Sequence, residues 1–490
     1  MAVLLATALL LAPAASRLPP LPPAASITLR APAAPRRFSL LTGVDRGPGC
    51  SGGASIAQQL RAAGTTLLRT HDAHVLDWCV LFPNASADPL SPASYAWAAG
   101  DEYFDSILAA GLQPYLRLGV SWSYPTPACI APDPAVFAAV AVQTLRHYND
   151  GWGGGRPPPP GSAPAVRFAE IWNEPDEAPR FWNSSAAQFY DLFDATARAL
   201  KGYSAALQVG GPAVASPLSP ASHSYSFGFL DAVAARGTPL DFFSWHSYGD
   251  IAAPPQQQGP HSPARIYNAT ITAVRGALAA RGLGSVAQHV TEWQPVILGS
   301  GALTGGAEAA AFTASALTFM ASAPDVAVSV FYPACEGVGV NGSWGMFLDY
   351  GNGTVAWRRE GRVWGAVGAL LAAAPWALEA AAAPAAEDFT ALAGANAPTA
   401  SGCTAVQAVV AARLPLAGGG TRIALTAPLG GAPSGSWARV AVLLHSASAP
   451  EEGAWSNSTV QVGAGGEVAV DIEGFAPPAV AWVSVSAAAA

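Results

Sequence analysis

Charge is scarce in this 490-residue chain: only 11% of residues are charged, and 24 basic residues face 32 acidic ones, a net charge of −8. The deficit of positive charge excludes a basic footprint for nucleic acid or for an anionic membrane surface, and a neutral ligand fits better. Cysteines number only five, at spacings that match no zinc ribbon. Past the N-terminus no apolar run is long and Ala-poor enough to suggest a membrane span. The hydrophobic fraction of 51% is inflated by alanine, which adds little core.

What is present begins with a leader. The first residues, MAVLLATALLLAPAAS, form a short apolar core ending in small residues, which reads as a secretory signal over 1–16, cleaved after Ala14 or Ser16. Six Asn-x-Ser/Thr sequons, starting at Asn84, Asn183, Asn268, Asn341, Asn352 and Asn457, agree with a secreted or secretory-lumen location. Residues 17–37 are rich in Pro and Ala and are expected to be an extended leader that packs little. The length then allows a barrel of roughly 250 to 350 residues and a second domain.

The chain is organised around Val166 to Asp176, VRFAEIWNEPD. Its β-favouring residues deliver Asn173 and Glu174 to Pro175, which cannot extend a ladder, so Glu174 sits where a strand stops. The plain alternative is that this pair caps the following helix. A second strand, HVTEW, ends in Glu292 and is followed by Gln294 and Pro295. Glycoside hydrolysis needs two carboxyl groups flanking the scissile bond. With these motifs the chain resembles glycoside hydrolase family 39, the β-xylosidase and α-L-iduronidase family of the clan A barrel glycosidases. The resemblance implies that Glu174 is the acid/base and Glu292 the nucleophile. It also implies hydrolysis of an O-glycosidic bond with retention of configuration, without metal or cofactor.

Eight rounds of strand and helix run from Phe38 to about Pro384. Strands are expected at Phe38–Asp45, Thr66–His71, Gln113–Val120, Arg167–Glu174, Leu207–Ala213, Asp241–Tyr248, His289–Trp293 and Ala327–Pro333. Short alternating runs follow. The expected architecture is α/β: a (β/α)8 TIM barrel over 38–384 and a small C-terminal β-sandwich over 385–490. In that barrel Cys50, Cys79, Cys129 and Cys335 fall in loops on one face, where one or two disulfides are expected.

Other residues converge on the same mouth. His71 and Asp72 end LLRTHD, which is similar to the family's Arg-Thr-His-Asp, with His71 expected to bind sugar hydroxyls. Asn173 matches the clan's asparagine that contacts the 2-hydroxyl. His246 and Tyr248 share a face of FSWHSYG, with His246 in a supporting role. Trp122, Tyr124, Trp293 and Tyr332 are candidates to stack on sugar faces, against core packing as the alternative for each. No cationic cluster awaits a substrate carboxylate, so a neutral, xylose-like sugar leads. The alternatives are another clan A retaining glycosidase (β-glucosidase, glucanase or mannanase-like) and a non-catalytic carbohydrate-binding wall protein.

Overall fold

The computed structural model describes residues 24–122, 127–249, 262–296, 305–338, 344–386, 389–416 and 421–488. The expected signal segment, Tyr124 and the Asn341 sequon lie outside them. The first strand, β1 (Ala25–Arg30), belongs to the second domain. The next eight are β2 (Leu41–Asp45), β3 (Leu67–Arg69), β4 (Gln113–Leu118), β5 (Phe168–Ile171), β6 (Gln208–Val214), β7 (Phe242–Tyr248), β8 (Ala287–Gln294) and β9 (Val326–Phe331). All eight pair in parallel and in sequence order, and β2 closes the ring on β9 with Leu41 opposite Val328 and Val44 opposite Phe331. This is the closed (β/α)8 barrel that the strand-helix alternation predicts.

Period-two alternation decides what fills the barrel. A first layer is apolar and aromatic: Leu67, Tyr115, Phe168, Phe242, Val328 and Val330. His289 joins it, stacked 4.0 Å from the Phe242 ring and 2.9 Å through Nδ1 from the Tyr115 hydroxyl. Burial pushes its pKa down to about 3, so the imidazole is a neutral part of the plug. Two positions further along β3, β4 and β5 the inward residues are Arg69, Arg117 and Glu170, all fully buried. Charge enters the barrel where the strands approach their C-terminal ends.

The second domain is built from both ends of the chain, which corrects two expected boundaries. Residues 25–30 are not a loosely packed leader. Ala25, Ile27 and Leu29 are 1–3% exposed, and β1 lies between strands Glu379–Ala383 and Ile423–Pro428. The ASITLR alternation is a strand signal that its proline-rich flanks obscured. Trp376–Ala377 and Glu379–Ala383 also pair with strands of this domain, so it begins before 385. A four-stranded and a six-stranded sheet face each other over a core that includes Ile27, Val410, Leu425, Val470 and Val483.

Helix Ala307–Ser322 joins the two bodies and is buried along most of its length. Its run of small residues lets sheet and barrel approach from both sides. Ser315 is 3.0 Å from the Thr390 hydroxyl, and Glu308 pairs with Arg413 at 2.7 Å.

Two disulfides staple the loops at the strand C-termini. Cys50–Cys335 joins the loops after β2 and β9, and Cys79–Cys129 joins those after β3 and β4. Cys403 is a buried free thiol in the second domain. Among the described residues no helix is long and apolar enough to cross a membrane.

Candidate active site

The strand ends bring Glu174 and Glu292 together. One side-chain oxygen of each and one ring nitrogen of His246 lie within 4.8 Å of one another. His246 Nδ1 is 2.9 Å from Glu174 Oε1 and 3.7 Å from Glu292 Oε2. Glu292 points inward because β8 bulges against β7 between Val290 and Glu292, which shifts by one residue the alternation that carries His289 inward. Glu174 is aimed by its backbone: φ is 43°, and its amide donates to the Ala213 carbonyl at the end of β6 (2.9 Å).

Such conformations are concentrated here. All five left-handed non-glycine residues among those described, Arg46, Asp72, Trp172, Glu174 and Ala213, stand at C-terminal ends of barrel strands. Each costs about 1–3 kcal/mol, which the surrounding packing offsets.

One cation organises the floor. Arg69 donates through Nε to Glu170 (2.6 Å), through one terminal nitrogen to Asp45 (3.4 Å) and Glu292 (3.3 Å), and through the other to the Asn173 side-chain oxygen (2.7 Å). Burial alone would lower its pKa, but Glu170, Asp45 and Glu292 hold it above the usual arginine range. A single guanidinium does not neutralise three carboxyls. Burial, reinforced by Glu292 and Glu170, pushes Asp45 well above the usual carboxylate range despite Arg69, so Asp45 takes up a proton readily.

The two facing glutamates differ in environment. Burial, then the negative charges of Asp176 and Glu177, pushes Glu174 up to about 8. Burial also raises Glu292, and Glu174 adds to this, while His246, Arg69 and the Tyr248 hydroxyl oppose it. Tyr248 donates a short hydrogen bond to Glu292 Oε1. Glu292 therefore has the donors that favour its ionised form, and Glu174 has acidic neighbours that favour its protonated form. His246 is driven down to about 4 by burial and is neutral.

The remaining expected residues divide. His71 Nε2 lies 3.8 Å from Glu292 and 3.5 Å from Asp72, and burial holds its imidazole neutral. Asp72 accepts from the Trp122 amide (3.1 Å) and the Tyr332 hydroxyl (2.8 Å). Tyr332 is thus tied to the pocket wall, and Trp122, 52% exposed, stands on the rim. Trp293 is a correction. Adjacent to Glu292 in the strand, it faces the opposite way, fully buried, with Nε1 donating to Ser329 Oγ (2.9 Å) and its ring 5.1 Å from Phe331. It braces β8 from behind and does not reach the pocket.

Sequence reasoning assigned no role to Arg69, Asp45 or Glu170. Their signal was available: each is a charged residue inside an otherwise apolar strand, LLR, LTGVD and FAEI. Such a charge is retained only when paired.

Residues 165–314 match the sequence profile of the family described as glycosyl hydrolases family 39. The chain resembles that family over the segment that carries both glutamates. A β-xylosidase of Geobacillus stearothermophilus is 29% identical over 166 residues, which is 30% of this chain and 29% of that one. The match thus spans less than a third of the relative's length. A glucosidase from Croceicoccus marinus superposes with a TM-score of 0.72 at 24% identity, covering 95% of this chain and 99% of that one. A monomeric β-xylosidase from Caulobacter crescentus gives 0.67 at 18%, covering 95% and 100%. At these identities the structural likenesses establish a shared fold, barrel and β-domain together.

Proposed function

We propose that this chain is a retaining glycoside hydrolase acting by double displacement, with Glu174 as acid/base and Glu292 as nucleophile. The observation that carries the reading is the pair itself: two buried carboxyls, with an oxygen of each within 4.8 Å, one ringed by donors and the other by acidic groups. Carboxyl groups about 5–5.5 Å apart fit retention, whereas inversion needs about 6.5 Å or more to admit water between them.

In the first step Glu292 attacks the anomeric carbon as the bond to the leaving oxygen breaks, and Glu174 gives that oxygen its proton. In the second, Glu174, now ionised, takes a proton from water, whose oxygen displaces Glu292 from the sugar. Arg69 and Tyr248 hold the nucleophile ionised and oriented. Asn173 Nδ2, His71 Nδ1 and His246 Nε2 are buried without a hydrogen-bond partner among the described residues. Sugar hydroxyls would satisfy them, and a buried unpaired polar group otherwise costs about 1–3 kcal/mol.

A neutral, xylose-like sugar is the favoured substrate at the cleaved position. The arginines around the pocket floor are already paired: Arg69 as above, Arg117 with Asp77 at 2.9 Å, and Arg46 with Glu336. The β-xylosidase relative adds weight. Two disulfides and exposed sequons at Asn84, Asn183, Asn268, Asn352 and Asn457 support a secretory route.

Glu174→Gln tests the reading. On glycosides with poor leaving groups it should cost about 10²–10⁴-fold in kcat/KM, with ligand binding retained. The alkaline limb of the pH profile should move with it. In the parent, activity falls as pH rises through about 8 because Glu174 loses the proton it must donate; in the variant that limb disappears. Equal turnover in the two proteins would leave the carbohydrate-binding alternative.

A further inference from the structure

The rim beside Glu174 carries a cation that the pocket floor does not use. After β5 the chain makes consecutive turns, with the Glu177 amide donating to the Glu174 carbonyl (3.0 Å) and the Arg180 amide to the Glu177 carbonyl (2.8 Å). Trp172 Nε1 donates to the Phe181 carbonyl (2.8 Å) and fixes the end of this segment. Arg180 is exposed, and its guanidinium lies 4.1 Å from the centre of the Trp122 ring. Phe181 fills the gap behind, 6.0 Å from Trp122 and 6.4 Å from the pocket residue His71. The Trp122 backbone is anchored in turn to Asp72.

Arg180 differs from the pocket arginines. Among the described residues no carboxylate pairs with it, and its guanidinium lies against an aromatic face. It is near enough to Glu174 for its positive charge to favour the ionised carboxyl. In an acid/base mechanism the leaving group must lie on the side of the proton donor, because the donor's proton goes to the leaving oxygen. Trp122 and Arg180 flank that side. An indole with half its surface exposed offers a stacking face for a pyranose, and a planar guanidinium offers paired donors to a carboxylate.

We propose that Trp122 and Arg180 form a leaving-group subsite that stacks a ring and favours one bearing a carboxylate. The natural substrate class is then a neutral terminal sugar linked to a uronate-bearing or otherwise anionic unit. This rests on the glycosidase reading above.

The test compares phenyl and 4-carboxyphenyl glycosides of whichever sugar the parent chain hydrolyses best in an aryl glycoside panel. The readout is the ratio of kcat/KM for the charged over the neutral aglycone, so that comparison between variants cancels the intrinsic difference in leaving-group ability. Arg180→Gln should lower that ratio about threefold to fivefold at low ionic strength, and added salt should bring the parent toward the variant. Trp122→Ala should raise KM for both aglycones. An unchanged ratio in Arg180→Gln overturns the subsite while leaving the glycosidase reading intact. Failure of the parent to hydrolyse any glycoside in the panel overturns both.

Discussion

Glu292→Gln should lower kcat by about 10⁴-fold or more, because it removes the group proposed above to form the covalent intermediate. It should do so without unfolding the protein. Burial and the neighbouring Glu174 make ionisation of Glu292 costly in the folded chain, and a neutral amide of the same shape is spared that cost. Its oxygen still accepts from Arg69 or Tyr248. Thermal or urea unfolding should therefore show stability equal to or above the parent while turnover collapses. A loss smaller than about tenfold would move the nucleophile elsewhere in the pocket.

The second large effect is opposite in kind. Arg69→Met should destabilise the fold by about 3–5 kcal/mol, since breaking a buried ion pair from one side strands the other side. Asp45, Glu170 and Glu292 lose their shared cation and Asn173 its donor. The deficit should grow with pH. Asp45 already has a raised pKa in the folded state, and without Arg69 it rises further. Its contribution to stability is full below the unfolded-state value and is lost as pH rises toward the folded one. Urea unfolding at pH 5 and pH 8 checks this: a variant equally stable to the parent at both values contradicts the hub. Arg69→Lys should recover only part, because one ammonium does not span the four acceptors that the guanidinium fork reaches.

The barrel was legible because its signals are local and repeated. Each apolar run such as QPYLRL or FFSWHSY is short, bounded and followed by a helical stretch, and the closed ring follows from eight such rounds. Glu174 and Glu292 stood out because each lies near the C-terminal end of an apolar strand run, within three residues of a proline. Trp293 was misread for lack of one piece of arithmetic: successive residues of a strand face opposite ways, so an inward Glu292 requires an outward Trp293. β1 was missed because its partners lie more than 300 positions away, at Glu379–Ala383 and Ile423–Pro428. Nothing in six residues announces a pairing at that range. Arg69 shows a third kind of gap. Its strand position was evident, but its role exists only once Asp45, Glu170, Asn173 and Glu292 converge from three different strands, β2, β5 and β8.

The most direct measurement of the central claim is the configuration of the first sugar released. A single-anomer aryl glycoside is hydrolysed inside an NMR tube and the anomeric proton followed before mutarotation mixes the forms. Two displacements at the anomeric carbon, Glu292 and then water, predict a first product with the substrate's own configuration. An inverted first product would mean direct attack by water and would contradict the assignment of Glu292 as nucleophile.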